Sequence, residues 1–124
     1  MKRNPRRTLR NKLDRAWSIA VRTKYPRCIV CGRTPTQAHH AIVRKAQSMG
    51  VRWILENGVG LCVGCHIFKL HGQQSDKMWL DKYITILNDL IPADVQQNIV
   101  DIGHRNNKYE ISELEDLLKQ LTSK

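Results

Sequence analysis

The sequence predicts an α+β fold in which two short strands and a short helix lie between longer helices. Apolar residues recur at helical spacing before residue 24 and again after residue 77. Residues 28–72 instead contain short apolar runs separated by glycines, a pattern typical of strands and turns. Neither repeats nor low-complexity linkers interrupt the 124 residues, so we expect a single domain, 1–124. Its parts are a basic helical arm (1–27), a core rich in cysteine and histidine (28–72) and a helical C-terminal part (73–124).

The first helix is predicted from about residue 5 to residue 23. Asn4 is a favourable N-cap, and Pro5 suits the first helical position because its missing amide hydrogen is not needed there. Leucines and a tryptophan then recur one turn apart, with arginines on the other face. Pro26 ends the helix, which would form the basic arm.

Positive charge is concentrated at the N-terminus of the chain. Residues 1–27 contain ten of the 21 Lys and Arg residues beside a single acidic residue, Asp14. The rest of the chain is nearly balanced, although the net charge is +10. Such an asymmetry favours a polyanionic partner, with nucleic acid first and an anionic membrane surface second, while a merely solvated basic face is the alternative. The candidate nucleic-acid contacts in the arm are Arg3, Arg6, Arg7 and Arg10.

Two C-x2-C pairs, Cys28/Cys31 and Cys62/Cys65, predict a structural zinc site. Tetrahedral Zn²⁺ takes four thiolates at about 2.3 Å, and each pair offers two. Two disulfides are the competing interpretation, and the run C-V-G-C-H (62–66) also fits c-type haem attachment. Both require an oxidising compartment, and the charged N-terminus lacks the apolar stretch of a secretion signal. We therefore expect zinc and a soluble, cytoplasmic protein.

The segment around the cysteine pairs predicts two strands followed by a short helix. Apolar runs at 38–43 and 59–61 are consistent with strands, and residues 63–70 can form a helix that stops at Gly72. The loop between the strands is rich in basic side chains, which favours phosphate contacts.

Three further helices are predicted in the C-terminal part. Ser112 and Glu115 form a capping-box pattern that opens the last of them. We expect the apolar stripes of these helices to lie in the core. The stripe residues are Met78, Leu80, Tyr83, Ile84, Leu87 and Leu90, then Val95 and Ile99, then Leu114, Leu117, Leu118 and Leu121.

The histidines and one asparagine suggest chemistry beyond a structural zinc. His39 and His40 are adjacent, and consecutive side chains of a strand point to opposite faces, so one can bind a metal while the other faces a substrate. Asn57 follows on the returning loop, and His66 comes directly after the second cysteine pair. Each residue alone is commonly structural, but their combination predicts a catalytic centre. His104 has no predicted catalytic role.

These residues resemble a known superfamily. H-H at 39–40, N at 57 and C-x-x-C-H at 62–66, preceded by C-x2-C at 28–31, resemble the HNH endonucleases, and most of all the small stand-alone HNH proteins common in phages and prophages. The resemblance covers residues 28–72 and implies a zinc-bound ββα-metal core flanked by N- and C-terminal helices. It also implies a metal-dependent DNA endonuclease that leaves 5′-phosphate and 3′-hydroxyl ends, in a bacterial host cytoplasm.

Individual roles follow from the resemblance. It implies His39 and His66 as ligands of a catalytic divalent ion (Mg²⁺, Mn²⁺, Ni²⁺ or Zn²⁺), His40 as the general base and Asn57 as the residue that orients the base loop. Several members, the colicin nuclease domains among them, have a third histidine where this chain has Leu70. His71 is one residue further and about 140° from His66 around an ideal helix, so it is a lesser candidate ligand, and a contact to phosphate or to a metal-binding residue is the favoured alternative. Candidate phosphate contacts near the centre are Arg44, Lys45, Arg52 and Lys69. A zinc module that binds nucleic acid without cutting it is the alternative function, and an RNA nuclease with the same core is a third.

Overall fold

The computed structural model describes residues 4–44, 49–70, 76–105 and 109–123, apart from the side chains of Met49 and Phe68. The chain is α+β and mostly helical, with a two-stranded antiparallel sheet, as the sequence predicts. The elements, in chain order, are α1 (Pro5–Lys24), β1 (Gln37–His40), two short 3₁₀ turns (Met49–Val51 and Leu55–Asn57), β2 (Gly58–Leu61), a π-helical segment (Gly64–Leu70), α2 (Lys77–Leu90), α3 (Ala93–His104) and α4 (Ile111–Thr122).

Helix α1 begins and ends close to the predicted residues. The Asn4 side chain accepts hydrogen bonds from the amides of Arg6 and Arg7, at 3.1 and 3.3 Å, and Pro5 occupies the first turn. These contacts satisfy amides that have no partner inside the helix. The helix ends at Lys24, two residues before Pro26.

Helix α1 is a core element rather than an arm. Its residues Leu13, Trp17 and Val21 are buried in one apolar cluster with Trp53 and with Leu114 of α4. The stripe of apolar residues that predicts the helix also has to be removed from water, and α4 covers it. The N-terminal and C-terminal helices therefore pack together.

The sheet pairs β1 with β2 in an antiparallel register that sets His39 opposite Val59 and His40 opposite Gly58. A Cβ atom at Gly58 would come within 2.8 Å of the Trp17 ring, so glycine allows α1 to approach the sheet. Strand β1 ends at His40, three residues earlier than predicted. It stops there because the amides of Ile42 and Val43 bond to a side chain instead of continuing the ladder, as described below.

A second apolar cluster lies on the other side of the sheet. It includes Val59 and Leu61 of β2, three of the cysteines, Tyr83 and Leu87 of α2, and Ile99 of α3. The helix predicted at 63–70 is present as the π-helical segment Gly64–Leu70. Such segments are rare and occur frequently at functional sites.

Two details of the C-terminal part differ from the predictions. Only Tyr83 and Leu87 of the α2 stripe are buried, whereas Met78 is 82% exposed and Ile84 is 45% exposed, because no other described element covers that face. The capping box of α4 is formed by Glu110 and its partner three residues on, not by the predicted Ser112 pattern, so the helix begins two residues earlier than predicted. Among the described residues, no helix combines the length and apolar character that a membrane crossing requires.

Candidate metal centre and active site

The four cysteines come together at one point, as the sequence predicts. The first pair lies before β1. Of the second pair, Cys62 directly follows β2 and Cys65 lies in the first turn of the π-helical segment, so the sheet brings the two pairs side by side. All four Sγ atoms lie within 4.8 Å of one another, and those of Cys31 and Cys62 are 3.4 Å apart. Four sulfurs at about 2.3 Å from one Zn²⁺ ion would be about 3.8 Å apart. Cys28, Cys31, Cys62 and Cys65 are therefore positioned to bind a single metal ion such as zinc.

The thiols of this cluster differ in acidity. Burial raises the pKa of Cys28, but hydrogen bonds from backbone amides, including those of Cys31 and Cys62, outweigh it and lower the pKa from 9.0 to about 7. Burial raises the pKa of Cys65 to about 12, and thiol contacts with the other cysteines add to this increase. The pKa of Cys31 is raised by burial as well. One thiolate thus forms readily, and a positive ion is needed to hold all four.

A tryptophan supports the cluster from α2. Trp79 donates its Nε1–H to Cys65 Sγ at 3.4 Å, and its ring stacks on Tyr83 with the ring centres 5.2 Å apart. Hydrogen bonds to metal-binding sulfurs fix their orientation and stabilise the thiolate. The sequence offers no signal for this role, since a tryptophan in an apolar stripe is more often a simple core residue.

His39 and His66 lie close together beside the cysteine cluster. Their ring centres are 5.0 Å apart, and Tyr83 lies 6.5 Å from His39. His66 Nδ1 is 2.8 Å from Oε1 of Gln37. An amide oxygen only accepts hydrogen bonds, so Nδ1 carries the proton and Nε2 has the lone pair that a metal ligand needs. Among the described residues, no third Cys, His, Asp or Glu joins these two at metal-ligand spacing.

His40 has entirely different neighbours. Its ring stacks on the indole of Trp17, with the ring centres 3.9 Å apart and the planes 12° from parallel. Its Nε2 is 2.8 Å from the carbonyl oxygen of Arg52. Because a carbonyl oxygen only accepts, Nε2 carries the proton and the lone pair of the neutral ring is on Nδ1.

Asn57 fixes the backbone immediately after His40. It is fully buried, and its Oδ1 accepts from the amides of Ile42 at 2.8 Å and Val43 at 3.1 Å. Its Nδ2 donates to the Val43 carbonyl oxygen at 2.8 Å, and its own carbonyl accepts from Ala41 at 2.7 Å. A buried side chain with three bonds to one turn holds that turn in one conformation. These bonds are the reason that β1 ends at His40.

The two histidines of β1 border one pocket of about 210 Å³. Tyr83 contributes to its wall, and burial raises the pKa of that phenol to about 12, so it stays a neutral hydrogen-bond donor near neutral pH. Arg44 is exposed on the pocket wall. The pocket is lined by His39, His40, Ala41, Ile42, Arg44, Leu70 and Tyr83.

Several residues that the sequence predicts as nucleic-acid contacts bind other residues of the protein in the structure. Arg52 binds the Asp14 carboxylate through Nε and Nη2, and Lys69 lies 3.9 Å from a carboxylate oxygen of Asp76. Arg6 donates to the carbonyl oxygen of Tyr109. In contrast, Arg7 is exposed and Arg10 is half-buried. Arg3, Lys45 and His71 lie outside the described residues.

Comparison of the chain with protein-family models, curated proteins and solved structures finds no match. The fold and the site define an α+β protein with four cysteines positioned to bind a metal such as zinc. A resemblance to HNH endonucleases depends on the motif residues and on their geometry alone.

Proposed function

We propose that the protein is a metal-dependent HNH endonuclease that hydrolyses DNA phosphodiester bonds and leaves 5′-phosphate and 3′-hydroxyl ends. One observation carries the proposal. Adjacent histidines of β1 border a single pocket, yet His39 faces His66, whereas His40 is fixed by the Arg52 carbonyl and the Trp17 ring. If one histidine is a metal ligand and the other a general base for the same substrate, the two side chains must face one pocket but have different neighbours.

His40 is the proposed general base. With its Nε2–H donated to the Arg52 carbonyl oxygen, the lone pair on Nδ1 of the neutral imidazole can accept a proton from an attacking water. Asn57 keeps the turn after His40 rigid, which limits the positions that the imidazole can adopt. Arg44, on the pocket wall, is a candidate contact for a phosphate oxygen.

His39 and His66 are the proposed holders of the catalytic divalent ion. Gln37 fixes the tautomer of His66 so that Nε2 can serve as a ligand. An ion bound there would offset the negative charge that develops on the phosphate and on the leaving 3′ oxygen. Two side chains leave most coordination positions for water and the phosphate, as is usual for Mg²⁺ and for open catalytic sites.

The proposal is tested by a cleavage assay on plasmid, single-stranded and branched DNA with Mg²⁺, Mn²⁺, Ni²⁺ or Zn²⁺. We expect the parent chain to cut with at least one ion, and His40→Ala to lower the rate about 10²- to 10⁴-fold while DNA affinity and folding stay close to those of the parent. His104→Ala is the matched control, because His104 is exposed at the end of α3, and it should cut normally. A His40→Ala variant that cuts as fast as the parent would show that the base is another group.

A second candidate function is a zinc module that binds nucleic acid without cutting it. The net charge of +10 and the basic α1 favour it equally well. In that case the parent chain would bind DNA and cut nothing with any ion. Parallel assays with RNA of the same sequences decide whether the substrate is RNA instead.

A further inference from the structure

Asp14 makes the most concentrated set of side-chain contacts on α1. Its Oδ1 accepts from Arg52 Nε at 2.8 Å and from Trp53 Nε1 at 2.9 Å, and its Oδ2 accepts from Arg52 Nη2 at 2.5 Å. The two-point contact between guanidinium and carboxylate is charge-assisted and directional. It is partly shielded from water, since the Arg52 and Asp14 side chains are 17% and 30% exposed. Asp14 is also the single acidic residue of positions 1–27.

One of the two residues that Asp14 holds contacts His40, and the other is its neighbour in the chain. Arg52 supplies the carbonyl oxygen that is 2.8 Å from His40 Nε2, and Trp53 is the next residue along the chain. One carboxylate thus binds the side chains on both sides of the peptide that contains this carbonyl. Trp17, one turn further along α1, adds the ring on which His40 stacks and donates to the Ile54 carbonyl at 2.8 Å.

We propose that Asp14 is a positioning residue for His40: its carboxylate holds the Arg52–Trp53 peptide in the orientation that presents the Arg52 carbonyl oxygen to His40 Nε2. The inference depends on the proposed function for its catalytic consequence. It assigns part of the active site to a helix that lies outside the motif residues. A displacement of a reacting group by about 1 Å can cost about 10²-fold in rate, so such a support matters for the base.

The competing explanation is that Asp14 simply attaches α1 to the loop. A purely structural contact would affect the stability of the fold and leave the His40 ring unchanged. The two explanations therefore differ in what happens to the imidazole, which can be observed directly by the ¹⁵N chemical shifts of its two ring nitrogens.

The experiment uses the full-length, zinc-loaded chain with Asp14→Asn, which keeps the size of the side chain and removes its charge. We expect kcat for DNA cleavage to fall about 10- to 100-fold with KM close to that of the parent. The ring of His40 should change from one tautomer, with the proton on Nε2, to a mixture of both. Arg52→Lys should reproduce both changes, because a lysine cannot make the two-point contact, and Asp14→Glu should restore part of kcat.

Glu113→Ala is the control. It also removes an acidic residue that stabilises the fold, but Glu113 caps α4 and is far from His40 along the chain. It should lower the melting temperature and leave kcat and the tautomer unchanged. The proposal is overturned if Asp14→Asn leaves the tautomer of His40 as it is, whether or not kcat falls. If the parent chain cuts no DNA, the endonuclease proposal fails, but the tautomer comparison still decides whether Asp14 positions His40.

Discussion

His39 and His40 are neighbours in the chain, yet two different parts of the molecule support them. His39 faces His66 and Tyr83, on the side of the sheet that holds the four cysteines. His40 stacks on Trp17, on the side where α1 and α4 pack together. After the proposed roles of the two histidines, we call the first side the metal side and the second the base side. The metal side is built from the cysteine pairs, β2 and the helices α2 and α3, whereas the base side depends on α1 and α4.

The difference follows from the geometry of a strand. Side chains at successive positions point to opposite faces, so each face of β1 needs its own cover. The cysteine cluster and α2 cover one face, and α1 covers the other. Substitutions on either side should therefore affect the two histidines separately, and the predictions below use that separation.

The largest expected effect is on the metal side. Cys62→Ser removes one of the four thiolates, and a structural zinc contributes its binding energy directly to folding. We expect the zinc content to fall well below one per chain and the free energy of unfolding to fall by more than about 4 kcal/mol. Elemental analysis and thermal unfolding measure both quantities.

The control for this variant is Met78→Ser, because Met78 is 82% exposed. It should change the free energy of unfolding by no more than about 0.5 kcal/mol and leave zinc bound. If Cys62→Ser keeps both its zinc and its melting temperature, the four cysteines do not share one ion.

The next largest effect is on the base side. Leu114 of α4 is 1% exposed and belongs to the cluster with α1, so Leu114→Ala should cost about 2–5 kcal/mol of unfolding free energy. The folded fraction should nevertheless keep its zinc, since Leu114 is outside the cluster that contains the cysteines. Leu90→Ala is the matched control on an exposed site. Zinc loss at temperatures where Leu114→Ala is folded would mean that the two sides are not independent.

Asn57 is the point where the two sides meet, because it fixes the turn that follows both histidines. Asn57→Ala leaves two partly buried amides and one carbonyl oxygen without their partner. We therefore expect a loss of about 2–4 kcal/mol of unfolding free energy and of most DNA cleavage. Asn57→Asp keeps the acceptor atom for both amides and loses only the donor to the Val43 carbonyl oxygen, so its stability should be intermediate. Chemical denaturation is the measurement, with Asn88→Ala as an exposed control. If Asn57→Ala were as stable as the parent, the hydrogen bonds of Asn57 would not hold the turn after His40.

The metal side was largely predictable from the sequence because its signals are local. The spacing of Cys28 and Cys31, repeated at 62 and 65, already implies a shared ion, and alternation along a strand separates His39 from His40. The boundaries of α1, on the base side, are also predictable from local signals, namely its N-cap and its prolines. These features require only short-range rules.

The base side was not predictable in the same way. From the sequence, Trp17 is a core residue and Asp14 is an isolated acidic residue in a basic helix. Only the packing of α1 on the sheet brings Trp17 to His40 and Asp14 to Arg52. The sequence predicts a phosphate contact for Arg52, but it gives no signal for the ion pair that its guanidinium makes with Asp14. No periodicity or spacing encodes contacts between residues that are almost 40 positions apart.

The smallest expected effect concerns the basic face of α1. Arg7, Arg15 and Arg22 are exposed and lie within about 80° of one another around the helix, so they form one stripe, whereas Arg6 is tied to the Tyr109 carbonyl. Changing the three stripe residues to Gln should weaken binding equally for unrelated DNA sequences. Because each phosphate contact on duplex DNA contributes about −0.9 to the slope of log K against log salt, the slope should flatten by about 2 to 3 units.

Arg6→Gln is the matched control for the stripe, since it removes one positive charge from α1 without removing a stripe residue. It should change the slope by much less than the value of about 0.9 that one phosphate contact contributes, because its guanidinium already has a partner in the protein. Cleavage at low salt and saturating protein should persist in the triple variant, since none of its residues contacts His39, His40 or His66 in the described contacts. An unchanged slope in the triple variant would make the stripe a solvated surface. DNA would then have to be held by cations around the pocket, whose wall Arg44 shares with both histidines of β1.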